Sequence, residues 1–219
     1  MHIIKATLYT TLYIAFCELI GIWIFIADYF EVDFLIYDYY PIINGLLMAS
    51  SLIGFTYWIN DGQLKIPQST NTKLYIVAVF LGLTYVFVQT PLNWLYNFIS
   101  GDNFYILYDF NDWESFTNIN VVSTILLIPI AEELFFREFI QKKLQTQTTS
   151  IVAVGVTSLL FAMIHLPYMD WFSGTPASIH QAYIVLFGGL ILGYVYLKSK
   201  SIGPPILMHI LWNIMAVIV

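Results

Sequence analysis

Six polar residues interrupt runs that are otherwise Leu, Ile, Phe, Val and Ala: Glu132, Glu133 and Arg137, then His165, then His209 and Asn213. Carboxylates, imidazoles and an amide are the groups that activate a water and hold a developing oxyanion. Gathered in a dry interior, they are the parts of a hydrolytic site. An ionisable group inside a bilayer costs about 2.5–3.5 kcal/mol on insertion scales, so it faces the bundle interior and pairs or reacts there.

The spacing assigns different tasks to these groups. Glu133 and Arg137 are four residues apart, share a helix face and form an ion pair. Glu132 lies about 100° around the helix from Glu133. One carboxylate is then neutralised by Arg137 while the other stays available as a base. Phe161 and His165 repeat the four-residue interval, which sets the ring against the imidazole as a shield. His209 and Asn213 repeat it again, and two hydrogen-bond donors on one rigid helix make an oxyanion clamp. Each element also has a plainer reading. These are an intrahelical pair that lets the helix insert, a capping histidine beside Leu166-Pro167, and an interhelical contact worth about 1 kcal/mol. Three separate packing roles explain the ordered set poorly.

The elements that must carry these residues are membrane helices. The chain has 219 residues, 59% hydrophobic and 10% charged, against about 25% charged in soluble domains. The reading is an all-α, polytopic transmembrane bundle forming a single domain over residues 1–219. Residues 1–119 supply amino-terminal spans and 120–219 the core that carries the site. A net charge of −6 with eight cationic residues argues against nucleic acid as a partner. The single cysteine, Cys17, excludes an intrachain disulfide and a cysteine zinc cluster. It reads as a small buried hydrophobe.

Apolar runs place seven spans at roughly 6–27, 41–60, 74–99, 119–140, 151–168, 180–197 and 203–219. The first is too long for a signal-peptide core and is followed by no Ala-x-Ala site, so it reads as an uncleaved span. Pro91 in the third predicts a kink or an early end. Gly203-Pro204-Pro205 opens the last. Lys5, then Lys65 and Lys73, then Lys142 and Lys143, then Lys198 and Lys200 mark basic connections. Between them, 28–40 and 100–118 carry only acids, and 168–179 only Asp170. Strict alternation puts the amino terminus in the cytoplasm and the carboxy terminus outside. Tyr29, Tyr39, Tyr40, Trp58, Trp94, Trp113 and Trp171 fall near span ends, as an interfacial aromatic belt requires. Counted from the basic loops, Glu132 and His209 lie about 10–15 Å deep but His165 about 20 Å. The fifth helix must therefore start deeper or tilt.

Glu-Glu-x-x-x-Arg, Phe-x-x-x-His and His-x-x-x-Asn, in that order in successive apolar segments, resemble the CPBP family, the CAAX proteases and bacteriocin-processing enzymes also called Abi. The resemblance covers roughly 120–219, and all three motifs are intact. It implies an intramembrane, metal-independent endopeptidase of the glutamate type in a cell membrane, acting on a membrane-embedded or membrane-associated peptide. By that likeness Glu132 and His165 activate a water, His209 and Asn213 hold the oxyanion, and Glu133 with Arg137 orders the helix. No cofactor is implied. Two other readings stand beside it. One carboxylate with His165 and His209 has the composition of a catalytic zinc site, without a His-Glu-x-x-His motif. Alternatively, the polar cluster serves a non-catalytic bacteriocin-immunity or regulatory scaffold.

Other polar groups within the spans receive structural readings. Glu18 pairs across the bundle or lines an entry path. Asn44 and Gln89 make interhelical hydrogen bonds, and His180 is interfacial. Gly188, Gly189 and Gly193 permit close helix packing.

Overall fold

The computed structural model describes residues 1–21, 29–30, 40–63, 71–106, 121 and 123–218. All regular structure among them is helical. The helices are α1 (Ile3–Gly21), α2 (Tyr40–Ile59) and α3 (Thr72–Ser100), then a central helix, then α6 (Ser150–Met163), α7 (Tyr168–Ser173), α8 (His180–Ser199) and α9 (Gly203–Ile218). The central helix runs without a break through π1 (Ser123–Leu127), α4 (Ile128–Glu133), π2 (Leu134–Gln141) and α5 (Lys142–Leu144). α3 and α8 are each long and apolar enough to cross a membrane.

The central helix differs from the regular α-helix expected over 119–140. Its hydrogen bonds widen over π1 and π2, where the Lys142 N–H reaches back to the Arg137 carbonyl. A π-helical turn holds more residues than an α turn, and such turns recur at functional sites. Every residue of π2 from Leu134 to Gln141 is buried. Phe135, Phe136 and Phe139 pack against Tyr9, Tyr13, Phe55 and Phe161, which come from α1, α2 and α6. A helix buried on every face, with Arg137, Glu138 and Gln141 enclosed along with its aromatics, sits at the centre of the bundle. Burying it on all sides fixes the glutamates at its α4 end.

Two further differences concern helix ends. α3 continues through Pro91 to Ser100, where Gly101 (φ 78°) terminates it with its N–H on the Asn97 carbonyl. α6 stops at Met163, short of the expected 168, because Pro167 offers no N–H and disfavours a helical Leu166. It starts at Ser150, so the fifth helix begins no deeper than the sequence reading has it.

Polar contacts tie the connections together at two ends. At one, the Met1 ammonium donates to the Lys143 carbonyl, Tyr196 donates to Glu138, and Glu138 also pairs with Lys142. At the other, His180 bonds Asn93 and stacks on Phe104, while Tyr96 bonds Ser178. The acidic stretches 31–39 and 107–118, with Asp28, Tyr39, Lys65 and Trp113, lie outside the described residues, as do the side chains of Tyr40 and Asn44. Tyr29, Trp58, Trp94 and Trp171 are exposed, as a belt requires. So are Ile76, Phe80, Phe87 and Phe98 along α3. The bundle is apolar outside as well as inside, a surface unsuited to water over such an extent.

Glycines set the closest approaches. A Cβ on Gly188 would lie 2.5 Å from the Trp212 ring, and one on Gly193 would meet Gln141 Oε1 at 3.0 Å. On Gly189 it would touch Phe161 and Ser158. These are the close-packing positions the sequence marks in α8. Gly82 is less forgiving, because a Cβ there would lie 2.6 Å from the Met208 backbone carbonyl. Backbone cannot rotate away. Gly82→Val should therefore separate α3 from α9 and destabilise the fold by about 1–3 kcal/mol. Thermal unfolding in detergent checks this, with Gly155→Val, whose Cβ position is open, as the control.

Candidate active site

The site begins with Glu133, which is fully buried in α4 and engaged on both oxygens. Arg137 Nε donates to Oε2 at 3.0 Å, the pair expected from the four-residue spacing. His209 Nδ1 donates to Oε1, also at 3.0 Å. The Arg137 guanidinium lies over the Phe161 ring, 5.3 Å from its centroid. Its two terminal nitrogens have no protein acceptor among the described residues. Among the described residues, Glu133 is thus the carboxylate that pairs directly with this buried cation.

Glu132 is held more loosely. It too is buried, with 6% exposure, and His209 Nε2 lies 3.8 Å from its Oε2. His209 therefore sits between the two glutamates. Its Nδ1 must carry a proton to serve Glu133, which turns Nε2 toward Glu132. The helical angle between the glutamates separates their partners, yet both share one imidazole. That link across the bundle, from α9 to α4, is not legible from spacing within a single helix.

His165 lies in the turn beyond α6. Its Nδ1 contacts the Phe161 carbonyl at 3.0 Å, so Nδ1–H donates and a neutral ring presents Nε2 as an acceptor. The Phe161 ring packs edge-on against both His165 and His209, at 5.0 and 5.7 Å between centroids. The shielding and the capping readings of this histidine are both realised in one geometry. The ring of Trp212 stacks on His209 from the other side at 5.4 Å.

One cavity of about 410 Å³ brings the expected residues together: Glu132, Phe161, His165, His209 and Asn213 all line it. The different depths counted along the chain do not keep His165 apart from Glu132. Gln89 and His180, read as packing and interfacial groups, also face this cavity. Glu133 and Arg137 do not line it and lie behind it. A second cavity of about 210 Å³ opens on the α1 side, lined by Tyr13, Cys17, Glu18, Met48, Glu132 and His165. Cys17 packs against the core but is only half-buried, so it is less enclosed than its composition implied. Among the described residues, no group of three His, Cys, Asp or Glu side chains is gathered to hold a metal ion.

The Glu133–Arg137 pair generates a stability test. Removing one partner from a buried pair leaves the other charge uncompensated, at a cost of about 3–5 kcal/mol. Arg137→Ala should lower folded yield in the membrane as well as any activity, and adding Glu133→Gln should recover part of the yield. Size-exclusion profiles of the single and double variants read this directly. Equal yields for wild type and Arg137→Ala would refute the pairing's structural role.

No curated protein and no solved structure matches the chain. A family model does: residues 114–215 match type II CAAX prenyl endopeptidase Rce1-like. The match spans the central helix, the His165 turn and most of α9, and so contains every residue of the cluster. This carboxy-terminal segment is similar to the Rce1-like family of CAAX proteases, whose members are membrane proteins.

Proposed function

We propose that the protein is an intramembrane endopeptidase of the glutamate type, hydrolysing a peptide bond in a membrane-associated peptide or protein. The observation that carries this reading is the unequal use of the adjacent carboxylates. Glu133 is saturated by Arg137 and His209, whereas Glu132 faces a cavity it shares with His165, His209 and Asn213.

The chemistry follows from those positions. A water between Glu132 and His165 gives one hydrogen to the carboxylate and directs the other to His165 Nε2. Its oxygen attacks the scissile carbonyl carbon as Glu132 takes the proton. The carbonyl oxygen becomes an oxyanion beside His209 and Asn213. His209 donates to that oxygen from Nε2 when both ring nitrogens carry a proton, its Nδ1–H remaining on Glu133. As the tetrahedral intermediate collapses, the C–N bond breaks and Glu132 returns its proton to the leaving nitrogen. The products are a carboxylic acid and an amine, which become a carboxylate and an ammonium by proton transfer between them, and the enzyme regains its starting state.

The setting is a cell membrane crossed several times, with the amino terminus in the cytoplasm. Two observations support it. α3 presents apolar side chains outward along its length, and the Met1 ammonium meets the Lys142–Lys143 connection at one end of the bundle. The sequence alternation of basic and cation-free connections points the same way. Ile125, Ile128, Ile184, Val185 and Trp212 line the larger cavity, which suits an apolar segment of substrate. A CAAX protein, a bacteriocin leader and a signalling-peptide precursor all meet that requirement.

Glu132→Gln keeps the side chain's size and removes the base. In detergent with a chelator present, wild type should cleave members of a membrane-peptide library, and Glu132→Gln should lose at least about 10³-fold in turnover. Wild-type turnover by the variant would overturn the mechanism. Cleavage abolished by the chelator and restored by zinc would instead favour the metalloprotease reading. A folded protein that cleaves nothing would favour the immunity or regulatory scaffold.

A further inference from the structure

Glu132 and His165 line both cavities, and the two chambers differ in chemistry. The larger, beneath α8 and α9, has walls of Trp, Ile and Val around the oxyanion donors His209 and Asn213. The smaller, against α1, presents Tyr13, Cys17 and Glu18 opposite the Glu132–His165 pair. Glu18 is half-buried in the last turn of α1, a largely apolar helix. Among the described residues no Lys or Arg pairs with it. A carboxylate in that position needs solvation. The chamber's volume of about 210 Å³ exceeds by several-fold the roughly 30 Å³ share of one liquid water.

We infer that the α1-side chamber is the hydrolytic water reservoir, and that Glu18 is a positioning residue that keeps it hydrated and feeds Glu132. This rests on the hydrolytic reading of Glu132 and His165. The argument is one of opposite faces. A peptide lying along the apolar cavity covers the approach to Glu132 from the α9 side. The water consumed in each turnover then arrives from the other side, between Glu132 and His165, where both acceptor groups border the smaller chamber. Attack from there reaches the face of the carbonyl carbon away from the apolar wall, while the oxygen stays with His209 and Asn213. Glu18 takes no part in bond-making. Its effect is on how often the pair is occupied by water, so it governs kcat rather than KM.

Cys17, the only cysteine in the chain, supplies a native probe because it lines this chamber. Thiols react as thiolates, which form in water and not in lipid or packed core. The experiment treats full-length protein in nanodiscs with a charged methanethiosulfonate, using Cys17→Ala as the control. It then measures labelling, binding of a fluorescent substrate peptide and cleavage. Labelling of Cys17 that lowers cleavage about tenfold or more, with peptide affinity within about twofold, is expected. Glu18→Leu should lower kcat by a similar factor with KM nearly constant, and Glu18→Gln, which still holds water, should recover most of that loss.

Absence of labelling overturns the reservoir, as does labelling that leaves cleavage untouched or displaces the peptide. A Glu18→Gln variant as impaired as Glu18→Leu overturns the positioning role. The two readings fail separately. Labelling with no cleavage by any form would count against the protease and leave the chamber hydrated. Cleavage without labelling would do the reverse.

Discussion

A buried arginine paired with a buried carboxylate is the constraint around which this bundle is arranged. Arg137 is wholly inaccessible, and Glu133 supplies its neutralising charge at 3.0 Å. Burial of both ions costs several kcal/mol each, offset only when geometry is good and further hydrogen bonds are made. His209 provides one such bond and Phe161 covers the guanidinium face. Three helical segments are thereby fixed relative to one another: the central helix, α6 and α9. The groups that line the cavity inherit that fixed geometry, which is the preorganisation that electrostatic catalysis requires.

The same constraint explains why the glutamates are adjacent yet unequal. An engaged Glu133 keeps a proton on His209 Nδ1 and fixes the ring's orientation, which turns Nε2 toward Glu132. Glu132 is left with a looser neighbour at 3.8 Å and a face on each of two cavities. The π-helical stretch continues this pattern by burying a whole aromatic segment, so that the glutamate end of the helix is anchored by packing rather than by solvent-exposed contacts. Gly193 lets α8 close upon it, and Gly82, Gly188 and Gly189 let the surrounding helices α3, α6, α8 and α9 pack closely on one another.

Much of this was legible in the residues. The Glu133–Arg137 and Phe161–His165 contacts follow from four-residue intervals inside apolar runs, and the grouping of Glu132, His165, His209 and Asn213 was expected from their ordered set of motifs and its family resemblance. The close-packing role of Gly188, Gly189 and Gly193 followed from their clustering. What stayed hidden depends on contacts between helices distant in sequence. His209 meeting both glutamates spans 76 residues, and nothing local encodes it. The widened turns of the central helix arise from packing on all sides, whereas periodicity assumes a regular α-helix. Glu18 facing Glu132 required α1 to lie beside the His165 turn, a placement that no pattern within α1 contains. The end of α6 at Met163 was visible in principle, since Pro167 marks it.

The central claim is the division of labour between two neighbouring carboxylates, and thermal unfolding of Glu132→Gln and Glu133→Gln in the same detergent tests it most directly. If Glu133 is the structural anion, Glu133→Gln leaves Arg137 unpaired and lowers the melting temperature by about 5 °C or more. Glu132→Gln removes a loosely paired buried charge and leaves the melting temperature unchanged or raised. The reverse order, with Glu132→Gln the more destabilised, would contradict the account.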